Sequence, residues 1–195
     1  MNATRILTLV FGAVAIGLAY FLFSDIKADI DLQKKIKVTE KAVIERLKTI
    51  REAEIAYQSV YGEYSGNWDT LKAFADTGSV FIIQKTEHIK QLAYGAEEVT
   101  IEVDTLDKIA LRDTIFTPSK FPNFDPSKLN RIPGSSKDFS IWAGHVKKGN
   151  NEVAVFEVKD IDPVDPTRKE SNQIYSRKPL RIGSRTDVTT AGNFE

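Results

Sequence analysis

The chain has 195 residues, with 27 basic and 27 acidic side chains, a hydrophobic share of 42% and no cysteine. That hydrophobic share is too high for a disordered chain, so a packed core is expected. A formal net charge of zero argues against nucleic acid as a partner, because phosphate binding needs a clustered excess of Lys and Arg. The lack of cysteine excludes disulfides, Fe–S clusters, thiolate zinc sites and catalytic thiols.

An uncharged run near the N-terminus lies between Arg5 and Asp25. Its apolar part, residues 6–23, would span roughly 27 Å as a helix, close to the thickness of a bilayer core. A cleaved signal sequence and a buried core helix are the alternatives. The run ends in bulky Tyr20, Phe21, Leu22 and Phe23 instead of a small-x-small cleavage site. The sequence therefore predicts an uncleaved transmembrane anchor in residues 1–24.

The orientation of the anchor is predicted from its flanks. A short N-terminal tail before a hydrophobic run is the layout of a signal-anchor, and a long C-terminal domain can translocate despite its charges. We expect a single-pass protein of the inner, cytoplasmic membrane with its body in the periplasm. A literal count of basic residues favours the reverse, because five lysines follow the run: Lys27, Lys34, Lys35, Lys37 and Lys41.

Residues 25–62 are predicted to continue the anchor as a long amphipathic stalk helix. No Pro or Gly lies between Ser24 and Tyr61, and apolar residues recur at spacings of three, four and seven. Acidic residues near the membrane interrupt a clean heptad, which favours a helix whose second half docks on a head over a sustained coiled coil. Three isoleucines of the first half are expected to stay exposed just outside the bilayer: Ile26, Ile30 and Ile36.

Small residues in the anchor suggest where two such helices could meet. Ala13 and Gly17, and likewise Ala15 and Ala19, stand four residues apart, a spacing that permits close approach of membrane helices. With the three isoleucines, these four residues form the predicted membrane and oligomer interface.

A turn and a short helix are predicted after the stalk. Gly62 is predicted to be a left-handed C-cap, and a Ser-Gly-Asn turn follows at residues 65–67. A short helix should start there, with Asn67 or Asp69 near its N-terminus and Trp68, Leu71 and Phe74 on one face. Four aromatic residues surround these glycines: Tyr57, Tyr61, Tyr64 and Trp68. They form either a hydrophobic corner that pins the helix to the head, the favoured interpretation, or a sugar-stacking platform.

After Gly78 the apolar period changes to two, which predicts strands. The strand-like segments are residues 80–84, 99–103, 139–143 and 153–158, and the last two flank a turn cluster, KKGNN, that predicts an antiparallel hairpin. A proline-rich connection at residues 117–134 should hold one helical turn at 127–129. The predicted fold class is α+β: the transmembrane helix continues into the stalk helix, which packs on a small antiparallel sheet in a head at residues 63–165.

No motif in the sequence indicates catalysis. P-loop, G-x-G-x-x-G, G-x-S-x-G and H-E-x-x-H patterns are absent, so neither an enzyme nor a cofactor is expected. His88 and His145 lack companions at ligand spacing and are interpreted as structural or surface residues. Three carboxylates, Asp160, Asp162 and Asp165, resemble a Ca²⁺ loop, although a solvated turn is favoured because calcium normally takes six to eight oxygens.

Residues 166–195 carry an excess of basic residues scattered among Pro, Gly, Ser and Thr. Without a hydrophobic face, this segment is predicted to be a solvated, partly disordered tail, with contact to an acidic partner or lipid headgroups as the alternative. If the tail were to order, its docking residues would be Ile174, Tyr175, Leu180 and Ile182.

One segment carries a family resemblance. IREAEIAYQSVYGEYSGNWDTLKAF resembles the end of the long helix in type IV pilins and pseudopilins, where a Gly-Tyr turn leads into a short helix. The resemblance implies an envelope protein with a membrane helix and a small β-rich head. Those families carry a Gly just before the run and a Glu inside it; here Arg5 precedes the run, and no Glu lies within it.

The whole chain is also similar to a group of single-pass envelope proteins from Bacteroidota, on the segments LNRIPGSSKDFSIWAGHV, VAVFEVKD and LRIGSRTDVTTAGNFE. That similarity implies a compartment and an architecture but no activity. The leading functional hypothesis is a non-enzymatic, membrane-anchored envelope protein that assembles with itself or with other envelope proteins of a secretion, pilus-like or surface machine. The alternative is a ligand- or glycan-binding module displayed from the membrane.

Overall fold

The computed structural model describes residues 3–91, 97–122, 124–169 and 177–195. The chain divides into two compact units, residues 1–42 and 43–195. One helix, α1 (Ala3–Tyr61), forms the described part of the first unit and opens the second. The prediction of an uninterrupted helix up to Tyr61 is confirmed. The second unit begins at Val43, within the helix.

The last part of α1 contributes one buried face to the core of the second unit. Val43, Leu47 and Ile50 are buried, followed by Ala53 and Ala56. These residues recur at spacings of three and four, so they share one face of the helix. The prediction that the second half of the long helix docks on the head is confirmed for these residues.

The turn after α1 and the helix α2 (Trp68–Thr77) form as predicted. Gly62 adopts a φ of 80°, and its N–H donates to the carbonyl of Gln58 at 2.8 Å. The side chain of Asn67 accepts a hydrogen bond from the backbone N–H of Asp69 at 2.7 Å and so caps α2. Leu71 and Phe74 are buried on the inner face of α2.

Two long strands, β1 (Ser79–Gln91) and β2 (Glu97–Ala110), pair with each other in an antiparallel ribbon. The register sets Phe81 opposite Lys108 and Ile89 opposite Val99, with a bulge between Ile82 and Ile83. The sequence located both strands but made them too short, because charged residues beyond the apolar segments hide the alternation. A single turn of helix, α3 (Leu111–Thr114), follows β2.

The second sheet contains β3 (Ser140–Lys148), β4 (Asn151–Lys159) and β5 (Arg181–Gly183), in the order β3-β4-β5. The predicted β3–β4 hairpin is confirmed: Lys148 pairs with Asn151 and leaves a two-residue loop in which Gly149 has a φ of 65°. The sequence predicted one small sheet, whereas the described residues form two, because β1 and β2 pair locally with each other.

The proline-rich connection contains a 3₁₀ turn at Pro126–Lys128, one residue earlier than predicted. The ring of Phe116 stacks on that of Phe124 at a centroid distance of 4.0 Å. Leu129 and Ile132 are buried beside them in the core of the second unit. A second 3₁₀ turn, Pro166–Arg168, follows β4.

The sequence predicts a solvated, partly disordered tail, whereas residues 177–195 contain a strand and buried apolar residues. β5 pairs with β4 through Ile182 and Val158, and Ile182 also bridges to Gly192. Leu180 and Ile182 are buried in the core, as expected if the tail ordered; Ile174 and Tyr175 lie outside the described residues. The tail folds because its few apolar residues fall at sheet positions, which a composition argument does not detect.

Gly183 is predicted to be the least replaceable glycine of the second sheet. It has a φ of 69°, and an added Cβ would lie 2.1 Å from the carbonyl oxygen of Phe156. We expect Gly183→Ala to lower the free energy of unfolding by about 3 kcal/mol or more. Gly149→Ala, at a similar φ but with nothing within 4 Å of the added Cβ, should cost only about 1 kcal/mol. Urea denaturation measures both, and equal losses would contradict the predicted clash.

Candidate functional site

Three of the four aromatic residues around the α1–α2 turn pack against the core, and one of these three, Tyr57, also lines a groove with Tyr61. Trp68 and Tyr64 belong to the hydrophobic corner. The indole Nε1 of Trp68 donates a hydrogen bond to the carbonyl of Phe139 at 2.9 Å, and the ring of Tyr64 lies 4.6 Å from that of Phe156. These contacts tie the turn to the core and to the start of the second sheet.

Tyr57 and Tyr61 instead line an open groove of about 530 Å³. Their ring centroids are 4.5 Å apart, and the ring of Phe74 lies 5.2 Å from Tyr57 and 5.8 Å from Tyr61. Tyr57 is half-buried, whereas Tyr61 is 60% exposed. Burial raises the pKa of the Tyr57 hydroxyl, followed in effect by Tyr61 and the nearby carboxylates.

The opposite wall of the groove comes from the β1–β2 ribbon. Phe81 is 49% exposed, and the ammonium of Lys108 lies 5.9 Å from the centroid of its ring. Sequence reasoning missed Phe81 and Lys108 as groove residues. The two are far apart in the chain, and only the strand register that pairs them places them opposite the tyrosines.

Glu54 is a buried carboxyl group that the sequence analysis did not single out. It lies on the core face of α1, fully shielded from solvent, and its Oε2 accepts a hydrogen bond from the backbone N–H of Ser65 at 2.9 Å. Its Oε1 has no hydrogen-bond partner among the described residues. Burial raises the pKa of Glu54 from 4.5 to about 8, although the hydrogen bond from Ser65 acts in the opposite direction.

The three carboxylates of the acidic loop each accept hydrogen bonds from different groups. Asp160 is buried and accepts from the backbone N–H of Asp162 at 2.9 Å. Asp162 accepts from the hydroxyl of Ser135 at 2.6 Å, a bond that lowers the pKa of Asp162. Asp165 caps the Pro166–Arg168 turn through the N–H of Thr167. No group of three potential metal ligands converges among the described residues, so the structure gives no support to the calcium interpretation.

Basic residues of the C-terminal segment pair with buried acids. Glu157 on β4 accepts from Arg181 Nη1 at 2.7 Å and from Arg185 Nε at 2.8 Å. The guanidinium of Arg185 also lies over the ring of Trp142, 5.2 Å from its centroid. Arg177 donates to Asp165 at 2.8 Å. Much of the basic excess is therefore matched within the chain.

The two histidines do not form a site in the described part of the chain. The exposed imidazole of His145 lies 4.0 Å from the carboxylate of Glu63. His88 occupies a position in β1 opposite Thr100, and its side chain lies outside the described side chains.

The predicted interface residues of α1 are exposed, with one exception. Ile26 and Ile30 are 52% and 48% exposed, whereas Ile36 is 8% exposed. The small residues of the anchor are all exposed: Ala13, Ala15, Gly17 and Ala19.

Comparison with protein-family models, with curated proteins and with solved structures found no match.

Glu54 is predicted to make stability depend on pH. A carboxyl group with a pKa of about 8 in the folded state and about 4.5 in the unfolded state favours folding fully below pH 4.5. That contribution is lost as the pH rises to about 8, because the folded protein must then hold a buried charge. We expect a loss of roughly 3–5 kcal/mol across this window.

Glu54→Gln should remove most of that pH dependence. An amide oxygen still accepts from Ser65 N–H and carries no charge, so the variant should be more stable than the parent at pH 8 and nearly equal at pH 4.5. Thermal unfolding at several pH values measures the difference. Glu52→Gln, which removes a partly exposed carboxylate from the same helix, is the matched control. A constant difference between Glu54→Gln and the parent at every pH would contradict the prediction.

Proposed function

We propose that this chain is a non-enzymatic, membrane-anchored protein that assembles with copies of itself or with other envelope proteins. The observation that carries the proposal is one helix that is long and apolar enough to cross a membrane. An 18-residue window within Val10–Tyr61 has a mean hydropathy of 1.6, and none of it is buried. Leaving such a surface in water is unfavourable, since each large apolar side chain contributes roughly 1.5–3 kcal/mol when buried.

A core helix and a secretory signal sequence share this length and composition. The exposure of the whole window argues against a core helix in the described part of the chain. The bulky residues at the end of the run argue against cleavage after it. The resemblance of residues 50–74 to pilins and pseudopilins supports an envelope location, with the body on the periplasmic side.

Assembly is supported by apolar residues just beyond the run. Ile26, Ile30 and Leu32 are exposed, and the sequence around them is not an apolar run of membrane length. A bilayer of ordinary thickness is filled by the preceding run, so these side chains gain most from a neighbouring helix. Anchoring confines the chains to two dimensions, which lowers the cost of bringing such helices together.

Membrane insertion is tested by fractionation of full-length protein. It should sediment with inner membranes and resist carbonate washing. Val14→Lys combined with Leu18→Lys should release it, because each charge at the helix centre costs about 2.5–3.5 kcal/mol on insertion. Ile26→Lys, outside the run, should stay with the membrane. Recovery of the intact parent protein in the soluble fraction would refute the anchor.

Helix association is tested in the same membranes with single cysteines, which are informative because the chain has none. Ile26→Cys and Ile30→Cys should form crosslinked dimers or adducts with a partner. Ala28→Cys, on the opposite face of the same helix, is the matched control and should not react. Equal reaction at all three positions would count against a specific helix interface.

A glycan-binding module is the second candidate, and the open groove favours it. The exposed ring faces of Tyr61 and Phe81 could stack on the apolar faces of a sugar, with Lys108 at the rim for a polar group. We expect Tyr61→Ala to abolish the binding of an N-acetylglucosamine oligosaccharide measured by calorimetry, whereas Tyr20→Ala in the apolar run should retain it. No heat of binding to the parent protein would remove this candidate for that sugar.

A further inference from the structure

One edge of β1 has no partner strand in the part of the second unit that the structure describes. In the part of the chain that the structure describes, the ribbon has two strands, and β1 pairs with β2 along one edge only. The other edge of β1 presents backbone donors and acceptors in the geometry that a further strand requires.

The two outer edges of the ribbon differ strongly in charge. β2 carries five carboxylates, at positions 97, 98, 102, 104 and 107, and its one lysine, Lys108, lies at the base. Like charges opposite each other destabilise a strand pair, so β2 is poorly suited to pairing with β2 of another copy. β1 instead carries Lys85, Glu87 and Lys90, a nearly balanced set.

The sequence of β1 beyond its bulge is complementary to itself. Ile83, Lys85, Glu87 and Ile89 occupy alternate positions, the period at which a strand repeats its faces. They are symmetric about Thr86: a two-fold axis there would set each Ile opposite an Ile, and each Lys opposite a Glu. Within the chain, Lys85 and Glu87 lie opposite Val103 and Ile101, so the ribbon register does not place an opposite charge directly across from either.

The size of the second unit distinguishes between two ways of joining the ribbons of two copies, β1 with β2 and β1 with β1. If β1 paired with β2 of the next copy, each copy would add only two strands, about 10 Å of sheet. A compact unit of about 150 residues has a radius of gyration of about 15 Å and does not fit that repeat. Pairing of β1 with β1 around a two-fold axis closes after two copies and avoids this conflict.

We propose that the free edge of β1 binds β1 of a second copy, antiparallel and centred on Thr86, to form a four-stranded sheet with the order β2-β1-β1-β2. This proposal rests on the self-assembly part of the proposed function and names its partner and its surface. It uses no residue of α1.

A single cysteine at the two-fold axis tests the geometry. In full-length protein in native membranes, Thr86→Cys should form a disulfide with its own copy on mild oxidation, because directly opposite residues bring their Cβ atoms within reach of an S–S bond. Thr86 is exposed, so the substitution disturbs little. Thr100→Cys, opposite His88 on the acidic strand β2, is the control and should stay monomeric.

Charge exchange tests the register. In the Thr86→Cys background, Lys85→Glu or Glu87→Lys alone should reduce the disulfide dimer about tenfold, since two opposite-charge pairs become two like-charge pairs. The double variant, with both charges exchanged, should restore it. A mixture of the two single variants should form heterodimers, which a misfolded strand could not do.

The outcomes separate this proposal from the proposed function. If Thr86→Cys and Thr100→Cys crosslink equally, or if the double variant fails to restore the dimer, the β1 pairing is wrong. Crosslinks at Ile26 without crosslinks at Thr86 would also overturn it and would leave assembly to α1. Crosslinks at Thr86 in a protein that carbonate releases from membranes would support β1 pairing while refuting the anchor.

Discussion

Burial of one face of α1 is the constraint on which the second unit depends. Val43, Leu47 and Ile50 belong to one buried cluster with residues of α2, the proline-rich connection and the second sheet. Farther along the same face, Ala53 and Ala56 have small side chains that let covering residues approach the backbone closely. The apolar area on this helix face therefore contributes to the stability of the unit, at roughly 1.5–3 kcal/mol for each large buried side chain.

The same constraint explains the buried acid. Glu54 follows Ala53 on the part of α1 that faces the core, so its carboxyl group is shielded from solvent in either protonation state. Its hydrogen bond from Ser65 fixes the turn between α1 and α2, which in turn positions Tyr61 and Trp68. Burial raises the pKa of Glu54 to about 8, so the turn that this hydrogen bond holds is linked to pH.

The described surfaces of the two units differ in their apolar and charged residues. The first unit exposes the apolar side chains of a helix that is long and apolar enough to cross a membrane. In the second unit, many of the charges that composition assigned to a free basic tail are committed, since Arg181 and Arg185 bind the buried Glu157 and Arg177 binds Asp165. Contact with other molecules is therefore better sought on α1, the aromatic groove and the ribbon than on the C-terminal segment.

The sequence alone determined the features that are local in the chain. The long helix, the Gly62 turn, the Asn67 cap and the β3–β4 hairpin follow from periodicity and from residues with strong backbone preferences. Tertiary structure alone decided that the C-terminal segment joins the sheet, and that Tyr61 lines a groove while Trp68 does not. It also buried Glu54, on a helix face that the spacing of apolar neighbours marked as core. Each of these features depends on contacts between residues that are far apart in the chain, such as Phe81 and Lys108. The pattern of residues along the sequence does not show which distant residues will be in contact.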